Sequence, residues 1–75
     1  MSVADLARRR QLPPPDEARR IREAAHIASR EMAAELGVHA VTFSRWERGA
    51  IKPRGRHAER WARALADLRD IATEG

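Results

Sequence analysis

Fourteen of the fifteen basic residues in this 75-residue chain are arginines. A planar guanidinium offers paired donors that match both a phosphate and the O6/N7 edge of guanine. The basic residues are unevenly placed. Between Arg45 and Arg60 lie six of them and two acids, whereas the chain up to Glu35 carries seven and six. The net charge of +4 is therefore concentrated in one stretch, as an electrostatic footprint for nucleic acid should be. Other chemistries find little material. Without cysteine there is no disulfide, thiolate metal site or thiol nucleophile. His26, His39 and His57 share no metal-ligand spacing, so neither metal nor cofactor is expected. No Ser-His-Asp set, phosphate-binding glycine loop or paired carboxylates can be assembled, which speaks against an enzyme. Phe43, Trp46 and Trp61 are too few aromatics for a single-strand stacking platform.

The elements that must position these arginines are helices. A chain of this length holds one domain and one modest core. Residues 1–14 read as a tail or short helix, stopped at Pro13-Pro14-Pro15, and Arg8, Arg9 and Arg10 there form either a basic arm for DNA or a solvated tail. A helix is predicted over 15–25: Pro15 suits a first turn, Asp16 and Glu17 meet the positive end of its dipole, and Ala18, Ile21, Ala24 and Ala25 recur as a buried stripe. A second is predicted over 29–36, with Ser29 at or just inside its start, Met32, Ala33 and Leu36 as its apolar face, and Gly37 as its stop. A third runs over 40–48 with Phe43 and Trp46 inward and Gly49 at its end. The last spans about 55–71, with Ala58, Trp61, Ala62, Leu65 and Leu68 on its core side. No segment alternates with period two for long enough to be a strand. The domain is thus expected over 15–72 and all-α.

Two short helices joined by a glycine turn pack at a steep angle only if certain positions are small or apolar. Residues 29–48 meet those demands in order: Ala33 is small where the helices cross, and Met32, Leu36, Val38, Phe43 and Trp46 are apolar where they converge. This segment resembles the phage repressor and Cro-like (XRE-type) helix-turn-helix family, whose pattern includes A-x-x-L-G-V, then an apolar residue, then R-W-E-x-G and a proline. The resemblance covers about 15–68. It implies a compact four- to five-helix domain like that of lambda repressor, with 40–48 as a recognition helix entering the major groove of duplex DNA.

That reading assigns roles to the outward residues. His39, Ala40, Val41, Thr42, Ser44 and Arg45 are candidate base contacts, with Arg45 suited to guanine and Ala40 and Val41 to thymine methyls. His39 is either a base contact or the cap of its helix, and Val41 either touches DNA or sits half-buried beside Phe43. Ser29, Arg30, Arg48, Lys52, Arg54 and Arg56 are candidate phosphate contacts, Arg54 and Arg56 having solvated charge as their alternative. The family's glutamate, here Glu47, pairs with an arginine of the first helix, which implies an Arg22–Glu47 ion pair. Two positions depart from the pattern: Ser29 stands where a phosphate-binding glutamine is common, and His26 where the loop often has glycine.

The resemblance implies a transcriptional regulator, a repressor or Cro-like protein of a phage or prophage. It would act in the cytoplasm or nucleoid of a bacterial host, without a membrane partner. Binding as a homodimer or on paired half-sites is implied; a dimer would use the last helix, the C-terminal residues or the N-terminal segment, with Leu68, Ile71 and Ala72 as candidate contacts unless they close the monomer's own core. An antitoxin-like protein-interaction module and a recombination directionality factor are the alternatives. The latter normally follows its helix pair with a β-wing.

Overall fold

Three of the helices end in the same backbone device, and those ends set the shape of the molecule. The computed structural model describes residues 2–74, apart from the side chains of Asp5, Arg8, Arg9, Arg10 and Glu74, so the expected basic arm lies outside the described side chains. Its helices are α1 (Val3–Arg10), α2 (Pro15–Ala24), α3 (Ser29–Leu36), α4 (Ala40–Glu47) and α5 (Gly55–Glu74), and no strand occurs among the described residues. At the end of α2, the N–H of His26 donates to Glu23 O (3.0 Å) and that of Ile27 to Arg22 O (3.3 Å). At the end of α3 the same pair of bonds joins Gly37 to Ala34 and Val38 to Ala33. At the end of α4 it joins Gly49 to Trp46 and Ala50 to Arg45. Each is a Schellman closure, in which the residue after the cap turns left-handed. Gly37 (φ 71°) and Gly49 (φ 75°) do so without a Cβ, whereas His26 (φ 58°) carries one. The loop after α2 therefore keeps the left-handed geometry with histidine in the place of glycine, at about 1–2 kcal/mol of local strain.

The starts are equally local. Pro14 precedes α2 with extended dihedrals and Pro15 occupies its first position, with Asp16 and Glu17 in the first turn. Ala28 precedes α3 and has no side-chain acceptor, but the Glu31 carboxylate reaches back to accept the Ala28 N–H (2.8 Å). Ser29 is thus the first residue inside the helix.

The core is built from Ala18 of α2, Met32, Ala33 and Leu36 of α3, Phe43 and Trp46 of α4, and Trp61 and Leu65 of α5. Phe43 meets Trp61 and Trp46 edge-on, at 5.3 Å and 6.2 Å between centroids, an arrangement worth about 0.5–1.5 kcal/mol per pair beyond area burial. Both tryptophans are thereby committed to the interior. One expectation needs correcting. Ala24 is exposed, and the buried stripe of α2 runs through Ala18 and Arg22 instead. At about 100° per residue, position 24 lies some 120° around the helix from position 18, whereas 22 lies within about 40° of it. Helix α5 extends to Glu74, and α1 packs against it, so the N-terminal segment is docked on the last helix.

Candidate nucleic-acid interface

With Phe43, Trp46 and Glu47 turned inward, the outward face of α4 is set by helical geometry alone. Val41, Arg45 and Arg48 fall within an arc of about 60° opposite the buried side, and all three are exposed. Thr42 and Ser44 flank that stripe and are half-buried, while Ala40 and His39 are exposed at the helix start. His39 is the N-cap: the Val41 N–H donates to its Nδ1 (3.1 Å), which satisfies one of the orphan donors of the first turn. Val41 is 51% exposed.

The candidate phosphate contacts border this stripe. Ser29 is half-buried and Arg30 exposed in the first turn of α3. Lys52 and Arg54 are exposed in the loop after α4, and Arg56 is exposed in the first turn of α5. From His39 to Arg56 the only acid is Glu47, which is withdrawn from the surface. That leaves Arg45, Arg48, Lys52, Arg54 and Arg56 as exposed cations with no exposed acid in the same segment.

Glu47 is withdrawn by Arg22. Nε of Arg22 donates to Oε2 (2.7 Å) and Nη2 to Oε1 (2.9 Å), a two-point fork across α2 and α4. The remaining donor, Nη1, reaches the carbonyl of Ile27 (2.7 Å) and so ties the α2–α3 loop to the same guanidinium. Arg22 is 8% exposed and Glu47 9%. The hydrogen bonds to Glu47 raise the pKa of Arg22 above its usual value, against burial, which lowers it. A bidentate pair of this kind fixes geometry as well as neutralising charge. It holds α4 to α2 on the side of α4 opposite Arg45.

Arg60 belongs to the basic stretch by sequence but not by role. It donates from Nη2 to Glu35 O (3.0 Å) and from Nη1 to Leu36 O (3.3 Å), closing the C-terminus of α3 from the neighbouring α5. A cation at that end also complements the helix dipole. Nothing in the local sequence marks this contact, because its partners are 24 and 25 positions away. At the far end of α5, Arg69 pairs with Glu17 of α2.

Residues 19–69 match a family described as helix-turn-helix. No curated protein and no solved structure matches the chain.

Proposed function

The chain belongs to the XRE-type helix-turn-helix family, and from that premise we propose that it is a sequence-specific regulator of transcription that binds double-stranded DNA, of the phage or prophage repressor and Cro-like kind. Helix α4 lies in the major groove, and Arg45 reads guanine. Arg30, Arg48, Lys52, Arg54 and Arg56, with Ser29, hold the flanking phosphates. The observation that carries this reading is the pairing of five exposed cations between Arg45 and Arg56 with the burial of the segment's only acid against Arg22. An unpaired carboxylate on α4 would repel phosphate. Held by Arg22, it becomes a strut instead. A recombination directionality factor normally carries a β-wing after the helix pair, whereas residues 55–74 are helical here.

A second copy would complete a two-fold reader. Ile71 is 64% exposed on α5, and Ala72 beside it is exposed too, whereas Leu68 packs against the monomer's own core. The homodimer contact is therefore assigned to Ile71 and Ala72 rather than Leu68. Analytical ultracentrifugation of an Ile71→Asp variant reads this directly: the variant sediments as a monomer at concentrations where the parent pairs.

Duplex binding followed against salt tests the main reading. Neutralising five or six phosphates gives a log–log slope of about −5. Arg45→Ala lowers the preference for the selected site over random duplex about 10- to 100-fold, as loss of one bidentate base contact should. Lys52→Ala weakens both duplexes alike and makes the slope shallower by about one. Equal losses on specific and random DNA for Arg45→Ala would remove its role as a base reader.

A further inference from the structure

The indole Nε1 of Trp61 is buried without a hydrogen-bond partner, alone in this among the side-chain atoms of the described residues. A buried indole N–H normally finds an acceptor, so an orphan of this kind needs a reason. Trp61 lines a cleft of about 600 Å³ between the Pro13–Pro15 segment, the end of α4 and the loop that follows it. That volume is usual for a small-molecule site. The walls are mostly apolar. Trp46 lines the cleft beside Trp61, and the prolines at 13–15 and 53 contribute wall that has no backbone N–H. Lys52 is the one charged residue of the lining, and no acid lines it. Apolar walls, one orphan donor and one unopposed cation together select an apolar molecule that carries an acceptor and a negative charge.

We propose that this cleft binds a small aromatic carboxylate, its ring against the tryptophans and prolines, an oxygen accepting from Trp61 Nε1 and its charge toward Lys52. Nε1 itself is covered, so the indole or the proline wall shifts slightly as the acceptor meets it. The ligand and DNA then compete for Lys52. A bound carboxylate weakens duplex binding, and by linkage the duplex weakens binding of the carboxylate equally. That coupling rests on the phosphate contact proposed above for Lys52, whereas the cleft does not.

The probe is 2-naphthoate, compared with the neutral 2-naphthylmethanol, and the readout is the pair of indole N–H resonances assigned to Trp46 and Trp61. Titrated with 2-naphthoate, the Trp61 indole proton should move downfield and saturate, with half the effect at about 1 mM or below. The alcohol should bind about fivefold more weakly, the worth of one solvent-exposed ion pair. In Lys52→Ala, an exposed change, that ratio should fall close to one while the alcohol keeps its affinity. Saturating 2-naphthoate should lower the parent's duplex affinity to about that of Lys52→Ala and leave the variant's own affinity unchanged. The proposal is overturned if the Trp61 resonance does not respond, if the two probes bind alike, or if their ratio survives in Lys52→Ala. A duplex affinity indifferent to 2-naphthoate would overturn the coupling. Failure of the parent to bind any duplex would overturn the Lys52 phosphate contact instead, and the resonances would still decide the cleft.

Discussion

Replacing Arg22 by alanine should unfold this domain at a far lower temperature, although Arg22 takes no part in the proposed DNA contact. The change removes two charge-assisted bonds to Glu47, at 2.7 and 2.9 Å, and the bond to Ile27 O at 2.7 Å. It leaves a carboxylate only 9% exposed with its cation gone. Breaking one side of a buried pair costs about 3–5 kcal/mol, most of it the stranded charge. A chain of this length has a total stability of about 4–11 kcal/mol, at about 0.05–0.15 kcal/mol per residue. The loss is then between about a quarter and all of what holds the fold. At about 4 °C or more per kcal/mol, the midpoint should fall by at least about 12 °C, read from tryptophan fluorescence or far-ultraviolet dichroism. The paired variant Arg22→Met with Glu47→Leu separates the causes. An apolar replacement of a buried ion pair is often neutral or stabilising, so the double variant should melt well above Arg22→Ala. If Arg22→Ala melts within about 2 °C of the parent, the pair is hydrated and the reasoning fails. If the double variant is no better than the single, the stranded charge is not the cause. The pH dependence has a definite sign. Arg22 has its pKa raised in the folded state, so its contribution is fully present below the unfolded pKa and is lost only as pH rises through the folded one. Alkaline titration to about pH 11 should leave this contribution intact.

Other expectations concern single positions. His26→Gly relieves a left-handed residue at the end of α2 (φ 58°); after the greater freedom of glycine in the unfolded chain is subtracted, a gain of about 0.5–1 kcal/mol remains. A midpoint unchanged or lowered would refute the strain. His39→Ala loses the cap on the Val41 N–H and should cost about 0.5–2 kcal/mol, while His39→Ser retains most of it; equal destabilisation by both would show that the cap contributes nothing. Arg60→Ala should lower stability by about 1 kcal/mol through the two freed carbonyls of α3 while leaving the salt slope of DNA binding unchanged. A slope shallower by about one would place Arg60 on phosphate instead.

Much of this molecule was readable from short stretches of chain. Pro15 opening α2, Gly37 and Gly49 ending α3 and α4, and the Phe43–Trp46 spacing all act within about one helical turn, so they keep their meaning whatever lies elsewhere. The outward placement of Arg45 follows from the same periodicity. Ion pairs and caps between helices obey no such rule. Arg19, Arg20 and Arg22 are alike in type and neighbourhood, yet only Arg22 is buried, because only its side of α2 faces α4. Its pairing with Glu47 was implied by a family likeness and not by any pattern of spacing. Ala24, taken for core, is exposed because the crossing helices meet the Ala18–Arg22 side of α2. Arg60, counted among the cations available to DNA, is spent on the end of α3, and α1 finds its seat on α5. Sequence determined that 15–24, 29–36 and 40–47 are helical, where α3 and α4 stop and which residues α4 turns outward, since those depend on neighbours a few residues away. Tertiary structure decided which charges are neutralised, since that depends on groups more than twenty residues apart being brought within hydrogen-bonding distance.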